Sequence, residues 1–113
     1  MKSILNSIKK RLGISEEYEH FDDDIIMDIN SVFAILNQLG VGPSDGFSIE
    51  NQDAEWNDFL CVNQKKLELI KSYVYLKVKL LFDPPQSSFV LDSINRQISE
   101  FEWRILEETD YNK

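Results

Sequence analysis

The stretch NQKKLELIKSYVYLKVKLLFDPP (residues 63–85) carries apolar side chains on nearly every side of a helix. They form two neighbouring faces at helical spacing, one of Leu67, Ile70, Val74 and Leu81, the other of Leu69, Tyr73, Leu76 and Leu80. Asn63 is a suitable N-cap, and Pro84 and Pro85 end the helix because proline lacks an amide donor and disfavours helical backbone before it. A helix this apolar lies at the centre of a domain or also contacts other chains. We predict it over residues 63–82.

Three further helices are predicted, over residues 2–12, 22–39 and 87–107. Each has apolar residues at helical spacing, and Gly13 and Gly40 stand where the first two should end. The aspartates at 22–24 are predicted to cap the second helix and to favour its positive end. Residues 108–113 are polar and are predicted to form a loose tail. The predicted fold class is all-α, a single domain over residues 1–113 built as a small bundle of four main helices.

The segment GVGPSDGFSIENQDAEWNDF (residues 40–59) separates the second helix from the apolar one. Glycine and proline interrupt its start, whereas FSIE (residues 47–50) alternates apolar and polar residues as a strand does. We therefore predict a central loop or a short β-hairpin at about 41–56, followed by a helical turn over residues 56–62. Its aromatic residues Phe47, Trp56 and Phe59 either pin it to the domain's own helices or anchor it on a neighbouring chain.

The net charge of −8 is arranged in blocks of opposite sign. Residues 1–12 carry lysine and arginine without acids, residues 15–58 carry acids without lysine or arginine, and residues 59–82 are mostly basic again. Such blocks favour charge matching between chains or helices over nucleic-acid binding, which requires a continuous basic face. The alternative is a set of solvated helix faces.

Residues suited to catalysis or metal binding are scarce. The single Cys61 excludes an internal disulfide and multi-cysteine zinc sites, and the single His20 excludes paired-histidine metal sites. We interpret Cys61 as a small buried apolar residue and His20 as a surface residue. We therefore predict a soluble binding or assembly protein that is not an enzyme and holds no metal or cofactor. No apolar run reaches the roughly 20 residues that span a bilayer. The basic amphipathic helix over residues 2–12 could lie on a membrane surface, but its apolar stripe is short and has no tryptophan or phenylalanine, so no membrane association is expected.

Several segments, taken in order, carry a family resemblance. They are ILNSIKKRLGI (residues 4–14), INSVFAILNQLGVGPSDGFSIENQDAEWNDFL (residues 29–60), IKSYVYLKVKLLFDPP (residues 70–85) and RQISEFEWRI (residues 96–105). Together they resemble the small head–tail connector, or adaptor, proteins of long-tailed bacteriophages and prophages. The order of the segments carries the resemblance, since none of them is diagnostic by itself.

The resemblance implies a structural protein of the virion, located in the neck at the head–tail joint and present in the host cytoplasm during assembly. Such adaptors form an oligomeric ring, commonly of twelve copies, between the portal protein and the stopper or tail-completion protein. The ring extends the channel, and genomic DNA passes through it without sequence-specific binding. The family implies no catalysis and no membrane.

The predicted interface residues fall into two groups. In the central loop they are Ser44, Asp45, Gly46, Phe47, Ile49 and Trp56. At the C-terminal end, which in such adaptors commonly reaches the portal, they are Glu107, Glu108, Asp110 and Tyr111.

A second class of function is compatible with the acids of residues 15–58. A small acidic binding protein, such as an inhibitor that imitates DNA, would occupy one basic partner in a one-to-one complex. It would present its acids on one exposed face, whereas an adaptor in a ring has at least two interfaces.

Overall fold

The computed structural model describes the backbone of residues 3–60 and 64–111, and the side chains of residues 3–60 and 64–107. Five helices lie in these ranges: α1 (Ile4–Leu12), α2 (Asp22–Gln38), α3 (Trp56–Phe59), α4 (Gln64–Phe82) and α5 (Ser88–Tyr111). In the described ranges the only extended pairing is one isolated antiparallel bridge between Ser3 and Glu55. The all-α prediction is confirmed, and the segment at 41–56 is a loop, not a hairpin.

The chain clusters into two compact units, Met1–Cys61 and Val62–Lys113. The first unit holds α1, α2, the central loop and α3, and the second holds α4 and α5. The organisation as a single domain stays a prediction.

The ends of the first two helices follow local rules, with one exception. Ser3 caps α1 by accepting a hydrogen bond from the Asn6 amide at 3.2 Å, and Gly13, with φ of 83°, ends it in the left-handed conformation. The N-cap of α2 is Phe21, which makes no side-chain capping bond, so the prediction of an aspartate cap is wrong. Asp22 instead lies inside the first turn, where its charge still favours the positive helix end.

The ends of the last two helices are set by proline and serine. α4 ends at Phe82, before Pro84 and Pro85, as the sequence predicts, while the predicted cap Asn63 lies outside the described residues. Ser87 caps α5, since its Oγ accepts the Val90 amide at 3.4 Å. Helix α5 continues to Tyr111, past the predicted end at residue 107. No glycine or proline interrupts this stretch, so nothing local stops the helix.

The core of the first unit lies where α1 packs against α2. Side chains spaced three or four residues apart provide it, and the most deeply buried are Ile4, Leu5, Ile8, Ile25, Ile29, Val32, Phe33 and Leu36. Among these apolar residues lies one fully buried charge, the ammonium group of Lys9, which is 0% exposed.

Lys9 is bound by three acceptors that come from the segment between α1 and α2 and from the first turn of α2. Its Nζ donates to the carbonyl oxygens of Glu16 at 3.0 Å and Tyr18 at 2.8 Å, and it lies 2.8 Å from Oδ1 of Asp22. The ammonium group thus makes two hydrogen bonds to backbone carbonyls and one ion pair with a carboxylate. The lysine therefore fixes the path by which the chain leaves α1 and enters α2.

In the second unit α4 packs against α5. The buried side chains include Leu67, Ile70, Tyr73, Val74, Leu76 and Val78 on α4 and Ile94, Ile98 and Ile105 on α5. The phenol of Tyr73 is buried with them and donates a hydrogen bond to Oε2 of Glu102 at 2.8 Å. This bond supplies the partner that a buried hydroxyl requires.

The Tyr73 phenol makes the stability of the second unit sensitive to alkaline pH. Burial, and secondly the hydrogen bond to Glu102, raises the pKa of Tyr73 well above its usual value. The folded state therefore holds the phenolic proton more tightly than the unfolded state. This stabilisation is complete below the unfolded pKa of about 10 and is lost as pH rises above it.

We expect wild-type protein to lose more unfolding free energy than Tyr73→Phe when pH is raised from about 8 to about 10.5. Urea unfolding at both pH values measures the difference, and Tyr18→Phe, at an exposed tyrosine, is the matched control. Equal losses in wild type and Tyr73→Phe contradict the prediction.

Candidate functional site

The central loop is held on its own unit by a cluster of four aromatic residues: Phe33 of α2, Phe47 of the loop, and Trp56 and Phe59 of α3. The Phe33 ring centroid lies 5.2 Å from that of Phe47, 6.3 Å from Trp56 and 4.5 Å from Phe59. Phe47 and Phe59 are 5.3 Å apart. These rings therefore pin the loop to the helices of its own unit, the first of the two predicted alternatives. Contact of the loop with another chain stays a prediction and rests on its exposed residues.

The end of the loop is tied to α1 by polar contacts. The Trp56 indole donates to Oγ of Ser7 at 2.9 Å, and the Ile4 amide donates to the Ala54 carbonyl at 2.9 Å. A capping box closes the start of α3, where the Glu55 amide donates to Oδ2 of Asp58 at 2.8 Å. α1 and the loop are thus parts of one folded unit.

Gly42 permits the close approach of the loop to α3. Its φ is 91°, and a Cβ at this position would lie 2.5 Å from Cε1 of Phe59. Any other residue would meet both an unfavourable backbone conformation and a steric clash.

The middle of the loop is held by the side-chain amide of Asn30 on α2. The Ile49 amide donates to Asn30 Oδ1 at 2.8 Å, and Asn30 Nδ2 donates to the Ile49 carbonyl at 3.0 Å. One side chain thus satisfies both backbone groups of a buried residue, as a neighbouring strand would. This clamp explains why the alternating FSIE segment does not need a hairpin partner.

Asn30→Ala is expected to destabilise the first unit by about 2 kcal/mol, because both backbone groups of buried Ile49 lose their partners. Chemical unfolding measures the cost, and amide exchange at Ile49 should become faster than in wild type. Asn95→Ala, at an exposed position of α5, is the matched control. Unchanged exchange at Ile49 contradicts this role of Asn30.

The tip of the loop is an ordered, exposed turn. The Gly46 amide donates to the Pro43 carbonyl at 2.9 Å, which closes a β-turn, and Asn37 Nδ2 donates to the same carbonyl at 3.1 Å. Ser44 and Asp45 occupy the central positions of the turn and are exposed. Of the loop residues predicted at an interface, these two project from the surface.

The other predicted interface residues have different surroundings. Gly46 and Phe47 are half-buried, whereas Ile49 and Trp56 are buried. Glu107 is exposed on α5. Glu108, Asp110 and Tyr111 continue the same helix, and their side chains lie outside the described residues.

An acidic surface lies at the N-terminal end of α2, and we define it by Tyr18, Asp23, Asp24 and Met27. All four residues are exposed, Tyr18 at 51% and Met27 at 68%. The Tyr18 ring packs edge-on against Phe21 at 5.8 Å, directly before the helix. Burial, and secondly the negative charge of Asp24, raises the pKa of neighbouring Asp28. The surface combines negative charge with two accessible apolar side chains, a composition suited to a basic and apolar partner.

A second surface, the α5 stripe, consists of Phe89, Arg96 and Trp103. Phe89 is 76% exposed and Trp103 is 61% exposed. This surface was not predicted from the sequence. The available signal was spacing, since successive members of the stripe are seven positions apart along the chain and therefore lie on one side of a helix.

The described residues lack the features of a metal site and of a membrane-spanning helix. No group of three or more histidine, cysteine, aspartate or glutamate side chains in these ranges is arranged to hold a metal ion. None of the described helices is long and apolar enough to cross a bilayer.

Comparison with known proteins identifies the family. A family model described as phage connector protein matches residues 4–112, which includes α1 and all later helices. No curated protein and no solved structure matches the chain. The match agrees with the resemblance carried by the segments between residues 4 and 105. The chain belongs to the phage connector protein family, and its role is structural, in the phage head–tail connection.

Proposed function

We propose that this chain is an adaptor of the phage head–tail joint that forms a ring between the portal protein and the stopper or tail-completion protein. The family match over residues 4–112 carries the proposal. Two separate exposed surfaces support it, because a ring built from one kind of chain needs at least two. The acidic surface lies in the first unit and the α5 stripe in the second.

The charge of the chain is compatible with a channel through which DNA moves. Each copy has a net charge of −8, and a ring of about twelve copies multiplies this negative charge. Affinity for DNA depends on lysine and arginine contacts to phosphates, so such a ring disfavours tight binding of the genome. In this proposal the adaptor acts by assembly and not by catalysis, first in the host cytoplasm and then in the virion.

Native mass spectrometry of the purified chain, alone and mixed with the portal protein of the same phage, tests the proposal. The expected product is a complex with about one adaptor chain for each portal subunit. Subunits of an unrelated phage portal are the control and should not capture the chain. A chain that remains monomeric and does not bind its own portal contradicts the proposal.

A second candidate is the small acidic inhibitor that imitates DNA, favoured by one observation, the exposed Asp23 and Asp24 beside Met27. It requires a one-to-one complex with a basic partner and no contact through the α5 stripe. The same mass measurement separates the two functions, because the adaptor enters a multi-copy complex with the portal, whereas the inhibitor does not bind the portal.

A further inference from the structure

The α5 stripe lies on the side of its helix opposite to the side packed on α4. An α-helix turns 100° per residue, so residues nine positions apart face opposite directions. Phe89, Arg96 and Trp103 each stand nine positions from one of the buried residues Ile98, Ile105 and Ile94. The stripe is therefore a second face of the helix, and its two aromatics are separated by about 21 Å along the axis at 1.5 Å per residue.

The composition of this face is that of an interface and not of a solvated helix side. Tryptophan, phenylalanine and arginine are enriched at the surfaces where proteins bind one another. An aromatic side chain buries roughly 150–250 Å² when a partner covers it. In the described part of the chain Arg96 forms no ion pair, whereas Arg104, two turns later on the same helix, binds Glu100 at 2.8 Å. The stripe thus places a guanidinium group without an ion-pair partner among the described residues between two apolar anchors.

The acidic surface has the complementary composition. Asp23 and Asp24 are exposed, and within the described residues neither has an ion-pair partner. Met27 lies one turn after Asp23 on the same side of α2 and is flexible enough to adapt to an aromatic ring. A negative patch beside an exposed apolar side chain on one surface therefore matches an apolar pair with a positive centre on the other.

We propose that the α5 stripe of one copy docks on the acidic surface of a neighbouring copy. The inference rests on the proposed ring and names the contact between its subunits. Because the two surfaces differ, the contact is heterologous, and each copy offers one surface to each neighbour. Arg96 pairs with Asp23 or Asp24, and Phe89, the more exposed of the two aromatic residues, packs on Met27.

A charge swap tests the ionic part of this contact in complexes with the portal. Arg96→Glu and the double change Asp23→Lys, Asp24→Lys should each weaken assembly by about tenfold or more, because like charges then face one another. Combining all three changes should restore assembly. A cooperative thermal transition shows that the variants remain folded, although lysines in the first turn of α2 are expected to lower the melting temperature by a few degrees. Assembly that survives each change alone, or that the combination fails to restore, overturns the proposed pairing.

Cysteine crosslinking tests the position of the contact in assembled complexes. In a Cys61→Ser background, a Met27→Cys chain mixed with a Phe89→Cys chain should give crosslinked pairs containing one of each. A chain with both changes should give a ladder of dimers, trimers and larger products, whereas an isologous contact stops at dimers. Asn95→Cys, exposed on another side of α5, is the matched control for Phe89→Cys and should not crosslink to Met27→Cys.

The outcomes separate the inference from the proposed function. A complex with the portal in which Phe89→Cys does not crosslink to Met27→Cys overturns the inference and leaves the adaptor function standing. A crosslink between the Phe89→Cys positions of two chains would likewise overturn the inference and leave the adaptor function standing. Absence of any complex between wild-type chain and its portal overturns both.

Discussion

Lys9→Met is expected to lower the free energy of unfolding by about 3 kcal/mol, one of the two largest effects of a single substitution in this chain. The methionine keeps most of the apolar stem but removes a charge that two backbone carbonyls and one carboxylate surround. The two carbonyls would lose their hydrogen-bond donor, and the Asp22 carboxylate would lose its ion-pair partner. Because Asp22 is 17% exposed, water offsets only part of its loss.

Chemical denaturation of Lys9→Met and Lys10→Met measures this effect with a matched control. Lys10 is the next residue of the same helix and is exposed, so its replacement should change the free energy of unfolding by less than about 0.5 kcal/mol. Adding Asp22→Asn to Lys9→Met should recover part of the loss, because no unpaired carboxylate then remains. Equal stability of the two lysine variants would show that the buried ion pair contributes nothing.

Phe33→Ala is expected to destabilise the first unit by about 4 kcal/mol. The side chain is 1% exposed and contacts the other three members of the aromatic cluster. Its removal leaves a cavity under the loop and takes away the ring on which Phe47 and Phe59 both pack. The loop should therefore open locally, with faster amide exchange at Ile49 and at Gly46.

The matched control for Phe33→Ala is Phe89→Ala on α5. Both changes remove the same side chain, but Phe89 is exposed, so its loss should alter stability by less than about 0.5 kcal/mol. Urea unfolding of the two variants measures the contrast. A small cost at Phe33 together with unchanged exchange in the loop would mean that the aromatic cluster does not hold it.

Helix ends were predictable from sequence where the chemistry is local. Gly13, Gly40 and Pro84 mark ends that depend only on backbone conformation and on the missing amide of proline. The choice between loop and hairpin was not local, because the partner of Ile49 is the side chain of Asn30, far away in sequence. An alternating pattern reports which residues are buried but not which group satisfies their backbone.

Which side chains are buried and which are exposed was harder to predict from the sequence than the positions of the helices. Lys9 stands at the edge of the apolar face of α1, four positions after Leu5, but a basic residue in the last turn of a helix is also favourable in solvent, so the sequence alone does not show that it is buried. Conversely, α5 has apolar residues on two sides, and periodicity alone does not tell which side packs on α4. The position of α4 determines which apolar side of α5 is buried, and Phe89 and Trp103 on the other side stay accessible.

The Asn30 clamp has a consequence for chains held close together at high local concentration. An extended segment with unpaired backbone groups is a template for intermolecular β-pairing and thus for aggregation. FSIE is such a segment by composition, but its Ile49 N–H and C=O are already occupied by a side chain of the same unit. The clamp thereby withdraws the apolar centre of this segment from strand exchange, so that many copies can accumulate side by side without the loop seeding cross-β contacts.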